Sequence, residues 1–320
     1  MKMRTNLVTC IIIALAMIIC PFAAGTEKSK PEQRENQSAV NEENDSEYIS
    51  VMSSKTGRVS KVELKEYVIG CVAAEMSPLY HTEALKAQAV ACYTYAKRTG
   101  ENKELDGADI TDSPDSHQGY IDRDGRQEKW GEKFKEYEDK ITAAVDAVFG
   151  EYMSFDGETV LAVYHANSTG RTQSAESLWG SEIPYLISVE SPGDRLSPDY
   201  LSSSEFSKDE LANVLESCGV EADGDADEWI EKINADSGGY VESLTVCGKK
   251  ISCSDFRSAA DLRSNCFDIE YDNGEFTVTC KGYGHGAGMS QYGADYMARQ
   301  GFDYMDILAH YYTGVNFEKE

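Results

Sequence analysis

Apolar residues recur at helical spacing in two adjacent segments of the first third of the chain. Leu64, Val68 and Val72 lie four residues apart, which predicts a helix with a broad apolar face. A second apolar stripe between Leu85 and Ala96 predicts another helix, with Thr82 as its N-cap. Two consecutive helices packed through small residues are therefore expected.

The remainder of the chain mixes strand-like segments with further helical patterns. Short runs of β-branched and aromatic residues predict strands at Thr159–Tyr164, Tyr240–Val246 and Phe276–Cys280. Helical spacing returns at Phe134–Phe149, Ser207–Leu215, Ser290–Arg299 and Met305–Tyr312. Strands and helices are segregated rather than alternating. The sequence therefore predicts an α+β fold, in which the helical pair packs on a mainly antiparallel β region with further helices.

The first 47 residues differ from the rest in polarity. Residues 7–24 are largely apolar and follow Lys2 and Arg4, which predicts that residues 1–25 anchor the chain in the cytoplasmic membrane with the remainder outside the cytoplasm. A cleaved signal segment followed by secretion is the alternative. Residues 26–47 are polar and predict a linker, so residues 48–320 are expected to form the folded domain.

Charge and cysteine content narrow the possible functions. The chain has 320 residues, of which 56 are acidic and 30 basic, and the formal net charge of -26 argues against a nucleic-acid partner. No Cys-x-x-Cys occurs and the histidines are scattered, so neither a metal site nor a cofactor is predicted. Cys71 and Cys92 are predicted core residues. Cys247 and Cys253 flank a predicted hairpin turn, and they are either paired across it or free.

Glu75 is an ionisable residue in an otherwise apolar run at the end of the first predicted helix. It follows Cys71-Val-Ala-Ala and precedes Met76. A surface carboxylate at a helix end is the simplest interpretation. If the group is buried, however, desolvation raises its pKa, and a carboxylic acid that stays protonated near neutral pH can protonate a glycosidic oxygen.

A glycine-rich segment forms a second candidate site, because four glycines fall within residues 282–288 around His285. Such a bare loop allows a ligand to approach the backbone, and the helix predicted after it, capped by Ser290, suits an oxygen-rich ligand. A phosphate loop is not favoured, since the spacing matches neither common phosphate-binding fingerprint. An ordinary structural histidine is the competing interpretation of His285.

Hydroxyls, an amide and an aromatic side chain cluster at residues 164–180, in the sequence Tyr164-His-Ala-Asn-Ser-Thr-Gly-Arg-Thr172 followed by Trp179. Sugar recognition uses such hydrogen-bonding groups together with a flat apolar face. A polar turn is the alternative interpretation. The segment Asp115-Ser-His-Gln-Gly-Tyr120 carries a weaker signal of the same kind.

Taken in order along residues 48–317, these motifs resemble the stage II sporulation protein D family. Glu75 lies in a segment similar to the first family motif, from Leu64 through Ala73-Ala-Glu-Met76 to Val90. The middle motif resembles residues 164–194, from Tyr164-His165 to Ser191-Pro192 and Asp194. The third combines the glycine loop with Ile307-Leu and His310-Tyr-Tyr-Thr-Gly314.

The resemblance implies a lytic transglycosylase that cleaves peptidoglycan glycan strands between N-acetylmuramic acid and N-acetylglucosamine, with residues 48–320 as its catalytic domain. It matches Glu75 to the family's catalytic glutamate. It also implies sporulation, with forespore engulfment and with a peptidoglycan amidase and a small membrane protein as partners. Substrate-binding residues are expected at Gln118, Tyr120, His165, Ser168, Thr169, Gly170, Trp179, Gly284, His285, Gly286, Ser290 and Gln291.

Departures from the family pattern concern the substrate loops. Thr169 stands where the family usually has a glycine, Ala166-Asn167 replaces a Ser/Thr pair, and Cys253 takes a glycine position. A non-catalytic peptidoglycan-binding protein that enhances an amidase is the principal alternative function. A hydrolase with a second acid, for which Asp115 and Glu176 are candidates, is another.

Overall fold

The computed structural model describes residues 48–102, 105, 107–114 and 116–320. The predicted anchor at residues 1–25, the predicted linker at residues 26–47 and Asp115 lie outside the described residues. Within the described ranges, no helix is both long enough and apolar enough to cross a bilayer.

Helices and strands are distributed unevenly along the chain. The helices are α1 (Leu64–Glu75), α2 (Thr82–Asn102), α3 (Arg123–Trp130), α4 (Phe134–Val148), α5 (Ala175–Trp179), α6 (Lys208–Ser217), α7 (Cys253–Ala259), α8 (Gln291–Arg299) and α9 (Tyr304–Tyr311). The strands are β1 (Tyr48–Met52), β2 (Val59–Glu63), β3 (Ile110–Thr111), β4 (Glu151–Phe155), β5 (Glu158–Thr159), β6 (Tyr164–His165), β7 (Leu201–Ser207), β8 (Ile230–Ala235), β9 (Val241–Val246), β10 (Lys249–Ser252), β11 (Phe267–Asp272), β12 (Glu275–Lys281), β13 (Met289–Ser290) and β14 (Asn316–Lys319). The predicted α+β class is confirmed.

Helices α1, α2, α4, α8 and α9 share one hydrophobic core. Alanines and other small residues of α2 are completely buried there, as the sequence pattern predicted, and so are Cys71 and Cys92. The predicted cap of α2 was wrong. Thr82 is already the first helical residue. The Glu83 N–H, which has no partner within the helix, donates to the His81 imidazole Nδ1 at 3.3 Å, so His81 rather than a hydroxyl residue satisfies it.

A second hydrophobic core lies in the β-rich part of the chain. Two antiparallel three-stranded sheets, β11-β12-β7 and β10-β9-β8, pack with α6 and α7 around it. A hairpin turn joins β9 and β10 where one was predicted, but it is shorter than the predicted Gly248-Lys249-Lys250, because Lys249 and Lys250 already belong to β10. Both of its central residues, Cys247 and Gly248, have positive φ, as a two-residue turn of this hand requires. Cys247 and Cys253 are both free.

The predicted strand at Thr159–Tyr164 is only partly correct, because the segment is extended in a sheet only at its two ends. Between β5 and β6, the Leu161 N–H donates to the Tyr185 hydroxyl at 2.8 Å instead of to a neighbouring strand. The second end, β6, pairs in parallel with β13, which places Tyr164 and His165 directly beside Met289 and Ser290. This short pairing brings the middle motif and the glycine-rich motif together.

Candidate active site

Glu75 is the last residue of α1, and its carboxyl group lies in a largely buried position. Its Oε1 accepts the Gly119 N–H at 2.6 Å, and the side chain of Gln291 at the start of α8 also interacts with the carboxyl group. Burial raises the pKa of Glu75, and these two interactions and the positive charge of Lys129 reduce that rise without cancelling it. The sequence predicts a raised pKa if Glu75 is buried, and its largely buried position meets that condition.

The loop that supplies Gly119 is built into the helical core. The Gln118 amide donates to the Tyr67 hydroxyl at 3.0 Å and accepts the Tyr164 hydroxyl at 2.9 Å. Gly119 has no side chain because a Cβ there would lie 2.8 Å from Glu75 Oε1. The Gly119 N–H can therefore come within hydrogen-bond distance of the Glu75 carboxylate. Any residue with a side chain at this position would push the carboxylate away.

Arg126, at 0% exposure, fixes the far side of this loop. Its guanidinium donates two hydrogen bonds to Glu138, at 2.8 and 2.9 Å, and one to Glu66 at 2.7 Å. A fourth goes to the Ile121 carbonyl at 2.9 Å. Burial alone would lower the pKa of Arg126, but the two carboxylates outweigh burial and raise it. The cation is thus fully paired where it holds the loop against α3 and α4.

Helix α8 supplies the opposite side of the carboxyl group. Ser290 is its N-cap, as predicted, and accepts the Gly293 N–H at 3.1 Å. Gln291 follows as the first helical residue, and its amide lies 3.4 Å from Gln88 Oε1 on α2. Asp194 accepts the Ser290 hydroxyl at 2.7 Å, the Ser168 N–H at 2.8 Å and the Ser168 hydroxyl.

His285 and His165 form a second cluster with Trp179. Their ring centroids are 5.7 Å apart, and the ring of Trp179, a residue that is 46% exposed, is 6.1 Å from that of His285. Burial lowers the pKa of His165 to about 3 and that of His285 to about 4, so both rings are neutral near pH 7. The His165 Nδ1 faces the Ala287 carbonyl at 3.0 Å and therefore carries the proton, while the buried Nε2 has no hydrogen-bond partner among the described residues.

The two clusters meet at Tyr164. Its hydroxyl contacts Gln118 beside Glu75, whereas its backbone forms a hydrogen bond with the His285 ring. Burial raises the pKa of the Tyr164 hydroxyl, and the nearby Glu75 charge adds to the rise. Tyr164 thus joins the glycine loop to the site around Glu75 through one residue.

The glycines of the loop make room for the protein's own chain. Gly284 and Gly286 both have left-handed φ values, of 107° and 83°. A Cβ on Gly284 would lie 2.8 Å from the His165 Cβ, and one on Gly286 would lie 2.7 Å from the Tyr240 ring. Close internal packing therefore explains these glycines without a ligand, and their predicted substrate contacts stay a prediction.

The other predicted substrate-binding residues differ in accessibility. Buried ones are Gln118, His165, Ser168, Thr169, Gly170, Gly286, Ser290 and Gln291, whereas Tyr120, Gly284 and His285 are partly exposed and Trp179 is exposed. The hydroxyls of Ser168 and Ser290 are engaged by Asp194, and the Tyr120 ring stacks on Tyr67 at 5.2 Å. Their direct contact with substrate also stays a prediction.

Four residues that contact Glu75 or support its site were missed as site residues in the sequence. Gly119 lies in a motif with only a weak signal, and Lys129 and Arg126 give no signal because they lie in a polar helix. Asp194 was noticed only as part of a family motif. A metal was not predicted, and within the described ranges no group of three or more His, Cys, Asp or Glu side chains is placed to bind one.

Fold and site together define an α+β protein in which the carboxyl group of Glu75 is largely buried where α1, the residue 118–121 loop and α8 meet. A family model described as stage II sporulation protein matches residues 52–155. The chain is 37% identical to stage II sporulation protein D of Bacillus amyloliquefaciens over 276 residues, covering 85% of this chain and 78% of that protein. For stage II sporulation protein D of Bacillus subtilis, the identity is 34% over 275 residues, covering 85% and 79%.

The chain belongs to the stage II sporulation protein D family. It is also similar to a more distant relative, the amidase enhancer of Bacillus subtilis, with 26% identity over 306 residues. That match covers 77% of this chain but only 39% of the enhancer. The family resemblance inferred from the three motifs is thereby confirmed.

Proposed function

We propose that the chain is a lytic transglycosylase that cleaves peptidoglycan glycan strands between N-acetylmuramic acid and N-acetylglucosamine, with Glu75 as its acid and base. The observation that carries this proposal is a buried carboxyl group with a raised pKa, held on two sides by hydrogen-bond donors. Such a group can be protonated before reaction and stabilised as a carboxylate afterwards.

The proposed reaction needs only one protein carboxyl group. Protonated Glu75 donates to the glycosidic oxygen, and the C–O bond breaks toward an oxocarbenium-like centre. The 6-hydroxyl of the same muramic acid then attacks that centre and returns its proton to Glu75, which leaves a 1,6-anhydro product. Around the Glu75 carboxyl, the described residues place the Gly119 N–H, Gln291, Lys129, Cys71 and Tyr164, and none of these five groups is a carboxylate.

Recognition of the glycan is assigned to the second cluster. The exposed Trp179 offers a flat apolar face, and the neutral His285 beside it is partly exposed. The remaining predicted substrate-binding residues complete this surface in the proposal. Anchoring through residues 1–25, action outside the cytoplasm during engulfment, and partnership with an amidase and a small membrane protein belong to the same proposal.

Replacement of Glu75 by Gln tests the assignment, because it keeps the shape and removes the transferable proton. We expect wild-type protein to release anhydro-muramic products from purified glycan strands, and E75Q to be at least about a hundredfold slower with unchanged folding. The E176Q variant, at an exposed acid on α5, should retain activity. Full activity of E75Q would refute the assignment, and loss of activity in E176Q together with reducing-end products would indicate a two-carboxylate hydrolase.

A non-catalytic amidase enhancer is the second candidate, and the similarity to the Bacillus subtilis amidase enhancer supports it. It predicts no cleavage by wild-type protein and stimulation of an added peptidoglycan amidase. In that case E75Q would stimulate the amidase as well as the wild type does.

A further inference from the structure

Asp194 is a buried charged group with no assigned task. It is 0% exposed, and no lysine or arginine of the described residues forms an ion pair with it. A buried carboxylate without a cation is costly unless its oxygens are saturated by hydrogen bonds. Three serines from separate parts of the chain, Ser168, Ser191 and Ser290, supply those bonds.

The contacts of Asp194 converge on the first turn of α8. Its Oδ1 accepts the hydroxyl of Ser290, which at the same time caps the helix through the Gly293 N–H. A Cβ on Gly293 would overlap Ser191 and the Tyr311 hydroxyl and would lie 3.0 Å from Asp194 Oδ1. The start of the helix is therefore clamped between Asp194 and its neighbours with no room to shift.

Gln291 is the first residue of α8 after this clamp, and its side chain interacts with the Glu75 carboxyl group. We propose that Asp194 is a positioning residue, which fixes the first turn of α8 and thereby holds the Gln291 side chain against the Glu75 carboxyl group. The inference rests on the proposed function only for its effect on catalysis. The geometric claim concerns the protonation of Glu75 and can be tested without any substrate.

The direct test is an NMR titration of Glu75 in the full chain. The glutamate side-chain carboxyls are labelled with ¹³C, and the Glu75 signal is the one that is absent in E75Q. The groups that face Glu75 are Lys129 on α3, Cys71 on α1, Tyr164 on β6 and Gln291 on α8, and the Asp194→Asn change replaces none of them. Because the Gln291 contact favours the carboxylate, losing its alignment should move the titration midpoint of Glu75 to higher pH.

A double-mutant cycle identifies the route of the effect. We expect D194N and Q291A each to raise the midpoint, and D194N/Q291A to raise it no further than Q291A alone. The matched control is T94V. The buried Thr94 hydroxyl on α2 bonds to Val90 and Met153, so its loss weakens the core without touching α8. T94V should leave the Glu75 midpoint unchanged.

Two outcomes would overturn the proposal: folded D194N with a wild-type Glu75 midpoint, or shifts in D194N and Q291A that simply add. If D194N does not fold, S290A replaces it, since this change removes one Asp194 contact and should shift the midpoint in the same direction. Where wild-type protein cleaves glycan, D194N should be roughly 10- to 100-fold slower, as expected for a displaced catalytic partner. If wild-type protein cleaves nothing, the proposed function fails while the titration result still decides the role of Asp194.

Discussion

Arg126 and Asp194 hold opposite sides of the Glu75 site, and the protein buries these two ions in opposite ways. Arg126 is surrounded by two carboxylates and a carbonyl, so its charge is compensated by charge. Asp194 is surrounded by hydroxyls and an N–H, so its charge is compensated by neutral dipoles. Burial accordingly raises the pKa of Asp194 even though four hydrogen bonds oppose the rise.

These two ways of compensating a buried charge give Arg126 and Asp194 different roles in supporting the Glu75 site. Charge pairing makes Arg126 a fixed support, because its own pKa lies far above any working pH. Asp194 has only neutral donors, and its pKa is raised. We therefore expect its hold on the first turn of α8 to depend on pH and on each serine that donates to it. The loop that presents Gly119 should therefore be the more rigid support, and the α8 side the more adjustable one.

Replacement of Arg126 by Met should cause the largest loss in this comparison. It leaves Glu138 and Glu66 without their cation, and breaking a buried ion pair typically costs about 3–5 kcal/mol of unfolding free energy. Urea denaturation measures the loss. K135M is the control, because the Lys135–Asp139 pair is exposed and contributes little. An R126M protein as stable as K135M would show that the guanidinium is not a structural support.

Two serine caps offer a smaller and closely matched comparison. Ser290 caps α8 while bonded to the buried Asp194, whereas Ser207 caps α6 in an exposed capping box with Glu210. We expect S207A to lose about 1 kcal/mol of unfolding free energy, as for an ordinary cap, and S290A about 2–3 kcal/mol, because it also removes a donor to a buried anion. Equal losses measured by urea denaturation would mean that the Asp194 contact adds nothing.

The smallest expected effect is a change in the pH dependence of stability. Because the folded-state pKa of Asp194 lies above its unfolded value, the folded protein binds the proton more tightly, and this contribution is lost as pH rises through the two values. The stability of wild-type protein relative to D194N should therefore fall over a pH range that begins near the ordinary aspartate pKa of about 4. Unfolding free energies of both proteins across that range provide the measurement. A relative stability that rises with pH would contradict the sign of the shift.

The positions of Glu75 and of the α8 cap followed from local pattern alone. A carboxylate in an apolar helical run and a serine after a glycine loop are visible because helix periodicity and capping depend on residues only a few positions apart. The segment at residues 159–164 shows the limit of such reasoning. Its β-branched composition predicted a strand, but the Tyr185 hydroxyl, supplied from elsewhere in the chain, takes the Leu161 N–H.

By itself, the sequence determined the α+β class, the helical pair, the presence of a hairpin turn after Cys247, and Glu75 as a candidate acid. Only the tertiary structure decided what surrounds that acid. Gly119, Gln291 and Lys129 reach Glu75 from three different elements, and Arg126 and Asp194 hold the supports of two of them. The spacing of these five residues along the sequence follows no helical or strand period. Their contacts depend instead on how whole helices, strands and loops pack together. The pKa of Glu75 is likewise a property of burial, which no local pattern specifies.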